Sequence, residues 1–170
     1  GFRWIGIANI PGTAIPVQIV FMVLLYIAFY YVMKYRKFGR YIYSIGGNEE
    51  ATRLSGINVD KYKTLAYMVS GLCAGIASVI LVAKLNSAQS VAGLDYEMDA
   101  IASCVIGGTS LLGGFGSVWG TFVGSIIMIV IRNGLNLLNV SSNLQKLGIG
   151  VVILLAVLAD SIRNKAAAKK

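Results

Sequence analysis

The sequence has no histidine, two prolines, two cysteines and seven acidic residues among its 170 positions. Without histidine, and with only Cys73 and Cys104 as thiols, no metal site of ordinary ligand spacing can be assembled. Both cysteines sit inside apolar runs and read as small buried hydrophobes. Charged residues make up 13% of the chain, where a water-soluble domain carries about a quarter. A globule in water is therefore disfavoured. No signal peptide opens the chain and it does not begin with Met, so Gly1 reads as a cut and the chain as part of something longer.

What remains is hydrophobic: 56% of residues are apolar, the mean hydropathy is +0.73, and glycine is abundant at 20 residues. Glycine-rich, charge-poor helices suit close packing in lipid. The net charge of +8 raises the question of nucleic acid, but the positions answer it. Seven of the fifteen basic residues lie between Lys34 and Lys63, and Arg163, Lys165, Lys169 and Lys170 form a basic tail. That is the distribution of cytoplasmic flanks under the positive-inside rule, with no basic stripe and interleaved aromatics for a nucleic acid.

A membrane-spanning helix needs roughly 20 mostly apolar residues. Five passes are expected, at about 16–33, 64–83, 100–112, 118–131 and 144–160, with a cytoplasmic loop at 34–63 and a cytoplasmic tail at 161–170. The fold class is all-α, a polytopic transmembrane bundle with a glycine-broken short helix at 100–112. Loop 34–63 is basic and should be inside, whereas loop 84–99 holds Lys84 as its one basic residue and should be outside. The basic tail should be inside, and four crossings between the inner loop and the tail satisfy the parity.

The stretch GRYIYSIGGNEEATRLSGINVDKYK, residues 39–63, is the most polar in the chain. Asn48 is placed as an N-cap, and Glu49 and Glu50 put negative charge against the positive helix end. Arg53 falls in the last turn, and Gly56 is placed as the left-handed residue that stops the helix. A helix of about two turns follows, Glu49 to Ser55, bounded by Gly46-Gly47 and Gly56, with Ala51 and Leu54 on one face. Two turns do not hold in water alone, so this helix needs something to dock against.

The pattern G-R-x-x-x-x-I-G-G-N-x-E-A-x-x-x-S-G-I-N-V at Gly39 to Val59 resembles the cytoplasmic loop of permease subunits of ribose-type bacterial ABC importers, in the superfamily serving sugars and branched-chain amino acids. The block LNSAQSVAGLDYEMDAIASCVIGGTSLLGGFGSVWGT, residues 85–121, is similar to the same family, with Ser90, Met98 and Phe115 as departures. The ending GLNLLNVSSNLQKLGIGVVILLAVLAD resembles its last helix. The resemblance covers nearly everything from about residue 34 and corresponds to the back part of a permease.

The resemblance implies that the short helix is a coupling helix seated in a groove of a cytoplasmic ABC ATPase. Carried over, it implicates Asn48, Glu49, Glu50, Ala51, Arg53, Leu54 and Gly56. It implies an extracytoplasmic sugar-binding protein, a second permease copy, a lipid bilayer and a multi-pass location in the bacterial plasma membrane. ATP and magnesium would belong to the partner, with no cofactor and no enzyme chemistry on this chain.

The glycine patterns carry competing readings. Gly108 and Gly113 have the G-x-x-x-x-G spacing of a phosphate loop, but Gly114 and Phe115 stand where Lys and Ser or Thr are required. Gly107, Gly108, Gly113 and Gly114 instead break an apolar segment. Gly116, Gly120 and Gly124 form one small-residue series and Gly71 and Gly75 another, suited to close helix packing or to sliding during gating. Asp95, Glu97 and Asp99 have the spacing for a hard cation or for acid–base work. At an outer edge, beside no histidine or nucleophile, they read as solvated charges or as contacts to the binding protein or a gate.

Apart from Lys146 and Asp160, which flank the last apolar stretch 147–159 as interfacial turns, the spans lack charged residues, which agrees with a neutral solute such as a monosaccharide. The expected function is the permease subunit of an ATP-driven sugar importer. The competing class is a channel or ion-coupled carrier with a broken-helix pore, which has no use for a capped docking helix.

Overall fold

A computed structural model describes residues 16–167 of the chain. Seven helices follow one another among the described residues, and no strand occurs there: α1 (Val17–Tyr35), α2 (Lys37–Gly47), α3 (Glu49–Leu54), α4 (Val59–Leu85), α5 (Tyr96–Ile106), α6 (Val118–Leu137) and α7 (Ser142–Ala167). The chain divides between Leu94 and Asp95 into two compact units. With 19, 27 and 20 residues, α1, α4 and α6 are long and apolar enough to cross a membrane. At ~1.5 Å per residue each reaches or nearly reaches the ~30 Å of a hydrocarbon core. Their large apolar side chains, among them Leu24, Leu72 and Val130, point outwards rather than into a protein core. An all-helical polytopic bundle is the architecture that results.

In the first unit the expected loop 34–63 is largely helical. One residue, Arg36, with extended backbone, joins α1 to α2. The corner is tight: a Cβ built on Gly39 would lie 2.1 Å from the carbonyl oxygen of Met33, so no other residue fits without moving backbone. In α2, Phe38, Tyr41, Ile42 and Ile45 recur at the helical spacing of one apolar face. That face meets α4, where Tyr41 packs edge-on against Tyr62 with ring centroids 4.9 Å apart and Phe38 approaches the same ring at 6.3 Å. Gly46 and Gly47 end α2 rather than forming a free loop. Asn58 caps α4 by accepting the Lys61 N–H at 3.0 Å, so that helix starts at Val59, ahead of the expected 64.

In the second unit, α5 is an 11-residue helix, ~16 Å long and too short to span the hydrocarbon. It starts at Tyr96 and ends at Ile106, where the expectation ran from 100 to 112. The reason is the glycine turn that follows: Gly108, Gly113 and Gly114 all hold positive φ, which continues no helix. The turn is closed by Ser110 N–H donating to the Phe115 carbonyl at 3.1 Å and Thr109 N–H to the Cys104 carbonyl at 2.9 Å. Ser117 then caps α6 through the Gly120 N–H. Because Gly107 meets Gly120 and Ser103 meets Gly124, α5 and α6 form an antiparallel hairpin. Ala102 of α5, Met128 of α6 and Ile149 of α7 form the buried centre of this unit, with Ile106 and Ile153 packed around them. The expected tail 161–170 is helical through Ala167, and residues 168–170 lie outside the described part.

Candidate functional site: a clamped two-turn helix

The site is α3 and the elements that hold it. A six-residue helix has no stability of its own, and each of its ends is secured locally. The Asn48 side chain accepts the Ala51 N–H at 2.9 Å, satisfying one of the orphan donors of the first turn. At the other end Ser55 N–H donates to the Ala51 carbonyl and Gly56 N–H to the Arg53 carbonyl, both at 3.0 Å. Gly56 has φ +81°, so the helix stops at a left-handed residue. It stops one residue earlier than the expected Ser55, which serves as the C-cap.

One side of α3 is fastened to the body. Thr52 is buried and its hydroxyl donates to the Asn48 carbonyl at 2.7 Å. Ile45 of α2 and Val59 of α4 are buried in the same unit, Val59 almost completely. Lys63 on α4 donates to the Glu49 carboxylate at 2.5 Å. Arg53 reaches Asp60 at 3.2 Å and Glu49 at 3.4 Å. These pairs are half-exposed and individually weak, but they share partners: Glu49 joins Arg53 and Lys63, and Arg53 joins Glu49 and Asp60. The Lys63 ammonium bonded to it holds the Glu49 carboxyl below the usual glutamate range, with Arg53 adding in the same direction against partial desolvation.

The opposite side is open. Glu50, Ala51 and Leu54 are exposed, and Leu54 is 85% exposed at the tip. Beside it a shallow cleft of about 330 Å³ runs along Arg53, Gly56, Ile57, Asn58, Val59 and Asp60. The open side thus carries one acid, a small flat residue and one projecting apolar side chain on a braced base. Asn48, Glu49, Glu50, Ala51, Arg53, Leu54 and Gly56 are thus brought together, in two groups. Asn48, Glu49, Arg53 and Gly56 build the helix, and Glu50, Ala51 and Leu54 are presented by it. Asp60 and Lys63 escaped sequence reasoning. Asp60 had a signal, since it lies in the first turn behind a capping Asn58, whereas Lys63 is fourteen positions from Glu49 and no local pattern links them.

The remaining sequence candidates lie in other surroundings. A Cβ on Gly120 would stand 2.0 Å from the Gly107 carbonyl oxygen, and one on Gly124 would stand 2.1 Å from that of Ser103. Gly107, Gly120 and Gly124 are therefore the contact of α5 with α6, while Gly116 lies against the Thr109 side chain. Gly71 and Gly75 meet nothing within 4 Å. They lie on an open face of α4, and Gly75 borders an apolar groove of about 450 Å³ lined also by Phe21, Leu72, Ile76, Val79 and Ile80. Of the acids, Glu97 is exposed in the first turn of α5. Asp99 pairs with Arg132 of α6 at 2.5 Å and Asp95 with Lys146 of α7 at 2.8 Å. Two of the three are thus ties between helices. Arg132 lies within α6, one residue beyond the expected span 118–131.

Comparison with known proteins places these features in context. The model of a family described as branched-chain amino acid transport system / permease component matches residues 2–157. The ribose import permease protein RbsC of Escherichia coli (strain K12) is 52% identical over 160 residues, covering 94% of this chain and 49% of the relative. RbsC of Bacillus subtilis (strain 168) is 46% identical over 167 residues, 98% of this chain and 51% of the relative. The xylose transport system permease protein XylH of Haemophilus influenzae is 41% identical over 151 residues, 89% of this chain and 40% of the relative. The chain spans about half the length of the curated relatives it matches. No solved structure matches it.

Proposed function

The chain belongs to the branched-chain amino acid transport system / permease component family, and on that premise we propose that it is the force-receiving part of the permease subunit of an ATP-driven importer for a ribose-like monosaccharide. Its short helix α3 faces the cytoplasm of a bacterial cell and docks in a groove of an ABC ATPase. ATP and magnesium sit on that partner, and this chain catalyses no reaction. An extracytoplasmic binding protein delivers the sugar, and a second permease copy completes the path through the membrane. The names of relatives that import ribose and transport xylose support a pentose-like substrate.

The observation that carries the reading is the two-sidedness of α3. Its inner side is capped, buried at Thr52 and braced through Glu49, Arg53, Asp60 and Lys63, while Leu54 projects almost fully exposed. A helix that only had to cover a loop would turn Leu54 inwards, because burying a leucine gains ~1.5–3 kcal/mol. Seating that side chain in a partner recovers this free energy. The bracing means that movement of the partner is passed to α2 and α4 rather than dissipated in a flexible loop.

The test is a disulfide trap and a transport assay on the assembled transporter. Leu54→Cys should cross-link to the ATPase, and Leu54→Asp should abolish substrate-stimulated ATP hydrolysis while leaving the permease folded. Absence of any cross-link, together with wild-type hydrolysis in Leu54→Asp, would remove the docking role. Uptake sustained by an ion gradient without the ATPase would favour the carrier reading.

A further inference from the structure

We propose that the α1–α2 corner is a binding site for the headgroups of anionic phospholipids. Lys34, Arg36, Lys37 and Arg40 lie within seven positions and all four are exposed. They close a helix of 19 residues apolar enough to cross a membrane, so they sit where its hydrocarbon section ends. No acidic residue occurs anywhere before Glu49. Of the acids that follow in this unit, Glu49 pairs with Arg53 and Lys63 and Asp60 with Arg53, while Glu50 is exposed and forms no ion pair among the described residues. Of the seven cations at 34–63, Arg53 and Lys63 are neutralised by protein carboxylates, whereas Lys61 and the four at the corner form no ion pair among the described residues.

Tyrosine rings set the depth of the corner. Lys34 donates to the Tyr30 hydroxyl at 2.7 Å and lies over the rings of Tyr30 and Tyr35 at 5.1 and 5.5 Å, and Arg36 lies over the Tyr31 ring at 5.4 Å. Tyrosine and held cations together are the furniture of the headgroup layer. Lys37 and Arg40 project from α2, whose apolar face is already occupied by Tyr62 of α4. That leaves the charged side of α2 for the membrane surface. A protein partner with acidic residues would also suit the charge, but the position at the end of an apolar span and the tyrosine collar favour lipid. The corner is rigid, since Gly39 lies directly against the Met33 carbonyl, and α2 runs straight into Asn48 and α3. Lipid held here steadies the base from which α3 projects. The site uses the first unit and the bilayer alone, so it stands or falls independently of the ATPase reading.

The test is lipid selectivity by electron spin resonance, with the protein reconstituted in phosphatidylcholine vesicles without any ATPase. Trace spin-labelled phosphatidylglycerol is compared with trace spin-labelled phosphatidylcholine as the motionally restricted fraction. The wild-type protein should prefer phosphatidylglycerol, with each corner cation worth about fivefold in the association constant, and molar salt should erase the preference. Arg36→Gln/Lys37→Gln/Arg40→Gln, which keeps Lys34, should lower it about a hundredfold, while Arg36→Lys/Lys37→Arg/Arg40→Lys should keep it. Arg40→Gln alone, which leaves the other inner cations to direct insertion, should lower it about fivefold. Equal binding of the two lipids by the wild-type protein, or an unchanged preference in the glutamine variants, would overturn the proposal.

Discussion

Substitution of Gly56 isolates the helix stop from every other property of the site. Its φ is +81°, and a Cβ added there would meet nothing within 4 Å. The cost of a side chain is therefore conformational and owes nothing to crowding. A left-handed backbone costs an ordinary L-residue ~1–2 kcal/mol. Replacing glycine also stiffens the unfolded chain, which returns ~0.4–1 kcal/mol. Gly56→Ala should therefore lose about 0.5–1 kcal/mol, a two- to fivefold fall in the population of correctly stopped α3. Gly56→Val should lose more, because a β-branched residue is a true outlier in that region, whereas Gly56→Asn should be nearly neutral because asparagine visits it readily. Hydrogen exchange of the Thr52–Gly56 amides reads the helix stop, and substrate-stimulated ATP hydrolysis in the assembled transporter reads coupling. Both should follow the order Gly, Asn, Ala, Val. A valine variant with wild-type exchange would refute the conformational reasoning. Altered exchange in it with unchanged hydrolysis would spare the geometry and remove the docking role.

Four further outcomes are expected. Gly124→Ala should lower the melting temperature in detergent, because its Cβ would overlap the Ser103 carbonyl and overpacking costs ~1–3 kcal/mol, whereas Gly71→Ala, facing open space, should not. A double-mutant cycle of Asp99→Asn with Arg132→Gln should show a coupling of about 1–3 kcal/mol, and a coupling near zero would mean the pair is incidental. Since the Glu49 carboxyl is held low by Lys63 and Arg53, its contribution to α3 is complete above the usual glutamate range and is lost as pH falls through the depressed value. Lys63→Ala should move that loss of amide protection to higher pH, and an unmoved profile would deny the clamp. Thiol labelling of Leu54→Cys should succeed from the cytoplasmic side alone, and labelling from outside would overturn the orientation of the loop.

Much of α3 could be read in advance because its determinants are local. Asn48, the acidic first turn, Arg53 and Gly56 lie within nine positions, and caps and left-handed stops are decided by neighbours in the chain. Local rules also explain why the apolar runs became α1, α4 and α6. The helical spacing of Phe38, Tyr41, Ile42 and Ile45 is also local, although the charge around it marks the same stretch as a cytoplasmic loop. The acids show the opposite case. As a run of sequence, Asp95, Glu97 and Asp99 have no visible partners, and two of them acquire partners from α6 and α7 only when those helices pack.

The chain's own order of residues determined that it is helical, that it belongs in lipid, and where a short capped helix interrupts the apolar runs, because burial in hydrocarbon and helix capping both act through near neighbours. Tertiary packing decided the rest. It sorted the glycines into a tight α5–α6 contact at Gly107, Gly120 and Gly124 and an open face at Gly71 and Gly75, although Gly120 and Gly124 have the same four-residue spacing as Gly71 and Gly75. It also turned Thr52 inwards and Leu54 outwards and brought Lys63 to Glu49. Those outcomes depend on which surfaces meet across long separations in the chain, and spacing along one helix carries no record of what lies opposite it.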